Sequence, residues 1–582
     1  MKFKHLSFFF EKIEETASRL VITEYLADLF KEIAPEQIDK TVYLLQGRIR
    51  PSFESLEFGV AEKTVVKSIL SAFNLEKKLF DSEYRISGDI GKTAEKFKKE
   101  IMSLEEKDLS IDEVYRDFYR LATSSGNGSQ EVKINILAHL LRQSDPLSCR
   151  YLVRIPLGIM RLGFSDMTVL DALSWMIKGD KSLRPVIEKA YHVRPDLGFI
   201  ARTIKEKGVD GLNKIGPEVF TPIIMMRAER LSSGQEIVDK IGRCAVEPKY
   251  DGFRLQVHYK NDQVKLYSRN LEEVSYMYPD IIEGVKKEVR AKEIVFEGEA
   301  VGFDPKTEVF LPFQETVQRK RKYDIESKAK EIPLKLFAFE LLYKDGENLV
   351  GIPYDERRKK LEKSLEVSGK ISQDTILLAP GELTDEGPKI ELLFDEAIAK
   401  GLEGIIAKKL DGIYQPGARG WNWIKFKRSY SSKIDDTIDC LVMGYDVGKG
   451  KRAGFGIGAF LVGVYDTQYD RYVTVAKIGT GLTDEEWQEI RKRCDKIRTD
   501  DTKGYEVDKM MSVDVWVKPS LVVEIKADEI TKSPVHTAGR SNKNSSGLAL
   551  RFPRLVRFRD DKNPQETTTL TELEEMFAKQ NR

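Results

Sequence analysis

At 582 residues the chain is longer than one hydrophobic core usually serves, so about two to four domains are expected. Lys and Arg number 95 against 94 Asp and Glu, which excludes any argument from net charge to a polyanionic partner; local clusters have to carry that argument. Cys149, Cys244, Cys440 and Cys494 lie far apart with no CxxC pair, which excludes a zinc module or disulfide framework and points to reduced, buried thiols. No stretch is apolar for the length a bilayer requires, so a soluble, cytoplasmic protein is expected.

The predicted elements begin with an amphipathic helix in MKFKHLSFFFEKIEET. Up to about residue 206 apolar residues recur at helical spacing, as in VYRDFYRLAT, INILAHLLRQ and TVLDALSWMI, which reads as an all-helical domain. Glycines and prolines in KEKGVDGLNKIGPEVFTPI interrupt that pattern, and a boundary falls near 215. From 216 to 427 short strands (RLQVHYK, QVKLYSR, EIVFEGEAV, KLFAFELLY, EGIIAKK) mix with helices (YDERRKKLEKSLEV, IELLFDEAIAKG), an α+β core built on antiparallel sheet. From 428 to 582, after the basic KFKRSYSSK, the segments DCLVMGYDV, GAFLVGVYD, YVTVAKIG and SLVVEIKAD predict the strands of a small barrel, and LTELEEMFAKQNR closes the chain as an amphipathic helix.

The stretch EPKYDGFRLQVH, residues 247 to 258, carries the chemistry. A lysine amine in a dry, cation-rich pocket gives up its proton more readily and becomes a nucleophile, and Lys249 precedes an acidic turn, Tyr250-Asp251-Gly252, with Arg254 beyond it. Gly252 allows a tight turn, and Arg254 can hold a phosphate in its fork. Five further patterns follow in fixed order: SRN at 268–270, FEGEAVGFD at 296–304, FAFELLY at 337–343, EGIIAKK at 403–409 and WNWIKFK at 421–427.

Together these resemble the ordered motifs of the nucleotidyltransferase superfamily, which contains ATP-dependent DNA ligases, RNA ligases and mRNA capping enzymes. The resemblance implies that Glu247 and Phe339 recognise and stack the adenine, and that Arg254 and Arg269 bind phosphate. It implies further that Glu299 lies beside the ribose and a catalytic metal, that Glu403 is the second metal-side carboxylate, and that Lys425 and Lys427 neutralise the α-phosphate. Arg419 matches a further nucleotide contact. The implied reaction is three phosphoryl transfers through a Lys249–AMP intermediate, with ATP as substrate and a divalent cation, Mg2+ or Mn2+, as cofactor.

The flanking regions discriminate within the superfamily. Residues 124 to 173 resemble the helical DNA-binding domain of cellular, especially archaeal, ATP-dependent DNA ligases, and Gly126, Asn127, Gly128 and Ser129 form a loop that can approach phosphates at a helix start. The nearby SGDIGKTAEK is no Walker loop, because the required first glycine falls at Ile86. DCLVMGYDVGKGKRAGFGIGAFLVGVYD resembles the start of the ligase oligonucleotide-binding (OB) barrel, with Lys449, Lys451 and Arg452 as a basic turn for DNA. GLALRFPRLVRFRDDK resembles the last ligase motif, in which Arg551, Arg554 and Lys562 are the candidates for orienting pyrophosphate.

The expected protein is therefore multidomain: an all-α DNA-binding domain (1–215), an α+β adenylylation or nucleotidyltransferase domain (216–427) and a β-barrel OB-fold domain (428–582). Nicked double-stranded DNA is the expected partner, of a monomeric enzyme that encircles it. No Gln-x-x-hydrophobic-x-x-aromatic-aromatic box stands in the chain, so a sliding clamp as partner stays open. A capping-type enzyme lacks the helical domain, an NAD-dependent ligase carries a cysteine-rich zinc module, and a non-catalytic DNA-bridging factor has no need of Lys249 among carboxylates.

Overall fold

The computed structural model describes residues 1–101, 106–304, 309–311, 313–321, 323–366, 373–400, 402–427, 437–448, 456–479, 482–542 and 545–580. The chain divides into two compact units, Met1–Leu393 with Ala399–Lys425, and Phe394–Ile398 with Phe426–Arg582.

The first unit opens with helices that run from Phe3–Glu14 to Leu197–Leu212. Their limits follow local chemistry. Ile111–Thr123 starts at a capping box in which the Ser110 hydroxyl accepts from the Glu113 amide (3.2 Å) and the Glu113 carboxylate accepts from the Ser110 amide (2.8 Å). Pro146–Arg154 starts with proline at its first turn and Asp145 accepting from the Ser148 amide. One apolar core joins these helices from Phe3 to Leu212.

A buried ionic knot crosses that core. Arg154, 1% exposed, donates to Glu14 at 2.7 and 3.1 Å and to Asp89 at 2.5 and 3.2 Å. Asp89 also caps the helix Ile90–Glu100, accepting from Gly91 N at 2.7 Å and Lys92 N at 3.2 Å. The GDIGKT segment thus fills its own helix start with a carboxylate, and a Cβ on Gly91 would meet the Arg154 Nε at 2.5 Å. Removing one partner from such a knot leaves buried charge uncompensated at a cost of about 3–5 kcal/mol. Arg154→Ala is therefore expected to shift the first thermal unfolding transition sharply downward, whereas Lys40→Ala, which breaks the surface pair with Asp112, moves it little.

The rest of the first unit is two sheets. The five-stranded sheet runs in the order Arg227–Arg230, Arg419–Lys427, Gly404–Lys409, Cys244–Lys249, Glu382–Thr384. The main path of the second runs Gln263–Ser268, Phe253–Lys260, Glu293–Asp304, Leu334–Lys344, Glu347–Asn348. Pairing is mostly antiparallel, as the hairpin spacing predicts; Arg227–Arg230 with Arg419–Lys427 and Leu334–Lys344 with Ile376–Leu378 are parallel, joined by long excursions that spacing alone does not reveal. Trp423 and Ile406 from one sheet pack with Val295, Leu342 and Phe339 from the other, so the sheets face each other.

In the second unit a curved sheet orders Tyr505–Glu506, Arg471–Ile478, Ala459–Asp466, Ile438–Asp446, Val522–Lys526 and Arg554–Phe558. The hairpin of Glu529–Ser533 with Gly547–Arg551 and the helices Asp484–Asp495 and Leu570–Gln580 complete it. All four cysteines are free and buried. Among the described residues no helix is long and apolar enough to cross a membrane.

Candidate active site

Strand register builds the site. Cys244–Lys249 pairs antiparallel with Gly404–Lys409, setting Lys249 opposite Gly404, and the Glu403 amide donates to the Lys249 carbonyl at 3.0 Å. The Lys249 ammonium then donates to the Glu403 carboxylate, an ion pair in which both side chains keep about a fifth of their surface. The sequence points to a pocket of cations around this lysine; its ion-pair partner is a carboxylate, supplied 154 residues further on by the residue just before the strand Gly404–Lys409.

After Lys249 the chain crosses from one sheet to the other through Tyr250-Asp251-Gly252. Gly252 is needed for contact as well as for turning: a Cβ there would lie 2.2 Å from the Ala300 carbonyl. Tyr250 stacks on Phe337 at 3.9 Å between centroids. Beyond the turn, Arg254 lies opposite Glu299, and Glu299 opposite Phe337.

Glu299 lies deep among protein atoms with part of its surface open. Burial pushes its carboxyl up to about 7; Lys249 and Arg254 pull the other way, and Glu403 and Asp251 add to the rise. Lys249, Arg254, Glu299 and Glu403 thus share one electrostatic neighbourhood.

Arg254 is held by a network the sequence does not announce. Its Nη1 donates to the Met226 carbonyl (2.8 Å) and its Nη2 to Glu297 (2.7 Å), while its buried Nε has no hydrogen-bond partner among the described residues. Glu297 is fully buried and also accepts from Gln256 (3.1 Å) and the Tyr414 hydroxyl (3.0 Å). His258 extends the chain: its Nδ1 accepts from the Phe220 amide at 2.9 Å, so its Nε2 donates to Gln256 at 3.0 Å. Burial, with Lys265 beside it, pushes this imidazole down to about 3, keeping it neutral. The outcome is a largely buried arginine with one donor that has no partner among the described residues.

Glu247 lies on Cys244–Lys249 and Phe339 on Leu334–Lys344, one on each of the two sheets. Phe339, half-buried, meets Trp423 edge-on at 6.0 Å, and the Arg254 guanidinium stands 5.5 Å from its centroid. Glu247, 2% exposed, accepts from the Tyr354 hydroxyl, from Arg358 at 3.4 Å and from Lys408 at 2.7 Å. Lys408 also donates to the Phe339 carbonyl at 2.7 Å. Sequence reasoning passed over Lys408, Tyr354 and Arg358; the only available signal was Lys408 inside the fifth named pattern.

The remaining candidates lie further out. Arg269 is exposed on the turn after Gln263–Ser268, and Arg419 is exposed at the start of Arg419–Lys427, opposite Arg227. Lys425 pairs in register with Arg230, and Lys427, two residues on, falls on the same strand face. Gly126 (φ +85°) and Gly128 (φ +80°) adopt the left-handed conformation with open space around them, and Gly128 starts the helix Ser129–Gln143, with Asn127 exposed between them. In the second unit Arg551 pairs with Glu529 at 2.8 Å, Arg554 with Asp528, and Lys562 with Asp439 at 2.7 Å. Lys449, Lys451 and Arg452 lie outside the described residues.

Three family models match the chain: DNA ligase N terminus over residues 2–174, ATP dependent DNA ligase domain over 225–427, and ATP dependent DNA ligase C terminal region over 453–562. The protein named Probable DNA ligase of Dictyoglomus turgidum is 47% identical over 100% of this chain and 98% of its own length. The chain belongs to the ATP-dependent DNA ligases. DNA ligase 2 of Thermofilum pendens is 42% identical over 99% of this chain and 97% of its own. Among solved structures, Pmar-Lig_PreS3 shares the fold at TM-score 0.53 and 16% identity, over 95% of this chain and 99% of that one. The ligase thus comprises an N-terminal helical domain, a central nucleotidyltransferase domain and a C-terminal β domain, and it joins DNA using ATP.

Proposed function

We propose that this ligase seals nicks through AMP carried on Lys249, in three balanced transfers. The Lys249 amine, having lost its proton, attacks the α-phosphorus of ATP; an N–P bond forms and the bond to pyrophosphate breaks. An oxygen of the 5′-phosphate at the nick then attacks that phosphorus, breaking N–P and returning the amine. The adjacent 3′-hydroxyl finally attacks the 5′-phosphorus, and AMP departs as the backbone closes.

The observation that carries this reading is the pairing of Lys249 with Glu403, beside Glu299 and an arginine whose Nε has no partner among the described residues. Phe339 stacks the purine and Glu247 accepts from its amine. Arg254, Arg269 and Arg419 hold phosphate and ribose oxygens, and Lys425 and Lys427 neutralise the α-phosphate. Arg551, Arg554 and Lys562 orient pyrophosphate.

A divalent cation fits this donor set. Among the described residues no three His, Cys, Asp or Glu side chains form a ligating group, but Mg2+ takes one or two carboxylates and completes its shell with water and phosphate. Glu299 and Glu403 would hold it, and a cation would offset the burial that, with smaller additions from Glu403 and Asp251, raises Glu299. When bound, the cation stabilises negative charge on the phosphates.

DNA binding is assigned to the 1–215 domain, through Gly126, Asn127, Gly128 and Ser129, and to the 428–582 domain as an OB fold, through Lys449, Lys451 and Arg452. Residues 216–427 form the adenylylation domain, in an enzyme that acts on nicked duplex as a monomer.

The test is a chase. Protein labelled with α-labelled ATP and Mg2+, freed of nucleotide, is mixed with nicked duplex bearing a 5′-phosphate. Label is expected to leave the protein for DNA and then appear as AMP while the nick closes. Labelling by GTP in place of ATP would move the reading to a capping-type reaction, and labelled protein that never transfers to DNA would defeat it.

A further inference from the structure

We infer that Tyr354 and Arg358, on the helix Tyr354–Glu362, are positioning residues that set the nucleobase choice of self-adenylylation by fixing which lone pair of Glu247 faces the purine. The inference rests on the reading of Glu247 as the acceptor for the adenine amine.

An ionised carboxylate offers about four acceptor positions. On Glu247, Oε1 takes the Tyr354 hydroxyl and Arg358 Nη1 at 3.4 Å, and Oε2 takes Lys408 Nζ at 2.7 Å. Among the described residues one acceptor position, on Oε2, has no donor, and this is the position open to a ligand. The donors are themselves anchored: Arg358 Nη2 donates to the Ala379 carbonyl at 2.7 Å, and Lys408 to the Phe339 carbonyl at 2.7 Å. The same helix grips the strand of the stacking ring, since Arg357 donates twice at 2.8 Å to Glu340, next to Phe339. Base-reading carboxylate and base-stacking ring are therefore held by one short helix and one buried lysine.

The chemical consequence is discrimination at the purine 6-position. Adenine presents an amine donor there and guanine a carbonyl acceptor. A carboxylate held in one orientation accepts from the first and repels the second. Without the Tyr354 hydroxyl, Oε1 loses its shortest contact and the buried carboxylate can rotate, so its open lone pair no longer faces the purine amine. Burial and Glu247 push the Tyr354 hydroxyl well above its ordinary value, so it remains a donor at every working pH.

The experiment measures self-adenylylation of full-length wild type, Tyr354→Phe and Glu247→Gln with α-labelled ATP, and with GTP as substrate or as competitor of ATP. Phenylalanine keeps the ring under Lys408 and removes only the hydroxyl. For Tyr354→Phe we expect the KM for ATP to rise roughly tenfold, kcat to hold within about twofold, and the ATP-over-GTP preference to fall roughly tenfold, with the melting temperature retained. An unchanged KM and preference overturns the inference, as does an equal loss with both nucleotides accompanied by a lower melting temperature. If Glu247→Gln keeps the preference, the underlying reading of Glu247 falls; if it loses the preference while Tyr354→Phe keeps it, only the present inference falls.

Discussion

Lys249→Ala is expected to retain no label from ATP, while still closing a nick whose 5′-phosphate already carries AMP. The two halves of that result separate the roles of the residue. The first transfer needs a nitrogen to receive AMP, and the groups around Lys249, namely Glu403, Glu299 and Arg254, do not offer an equivalent nucleophile. The last transfer needs only the 3′-hydroxyl, the 5′-phosphorus and the groups that stabilise departing AMP. Loss of both activities, in protein with the wild-type melting temperature, would mean that the Lys249 ammonium also shapes the closing step through its pairing with Glu403. Retained label would remove Lys249 from the reaction.

The motif residues were legible because their chemistry is written in short strings whose order survives in the chain. Lys249, Arg254, Glu299 and Glu403 were readable in that way, and strand pairing brings them together. The helical spacing of VYRDFYRLAT and INILAHLLRQ likewise became the helices Ile111–Thr123 and Ser129–Gln143. What the strings conceal is contact at long range. Tyr354 reaches Glu247 across 107 residues and Tyr414 reaches Glu297 across 117, and neither tyrosine differs from an ordinary core aromatic until the strands are paired. Glu297 and Glu299 look alike in FEGEAVGFD. Both point to the same side of their strand, yet one is sealed under Arg254, Gln256 and Tyr414 while the other keeps part of its surface open. Gly252 was read as a turn residue, and its contact with Ala300 could not be seen before the sheets were assembled.

Glu299→Gln is expected to slow self-adenylylation by about a hundredfold or more and to flatten its rise with pH. In the wild type the Glu299 carboxyl is pushed up to about 7, chiefly by burial, so below that value it holds a proton and offers no charge to a cation. At limiting Mg2+ the wild-type rate should climb as pH passes through about 7, and more Mg2+ should move the midpoint lower, because cation and proton compete for one carboxylate. Stability runs the opposite way. The folded state binds the Glu299 proton more tightly than the unfolded chain does, so stability falls as pH rises from the ordinary carboxyl range through about 7. Glutamine carries no such proton. The variant should therefore melt above wild type at about pH 8 in the absence of metal, and the gap should close below about pH 4. A gap independent of pH would show that Glu299 is ionised without cost in the folded protein, and the crowding of carboxylates around Lys249 would then need another explanation.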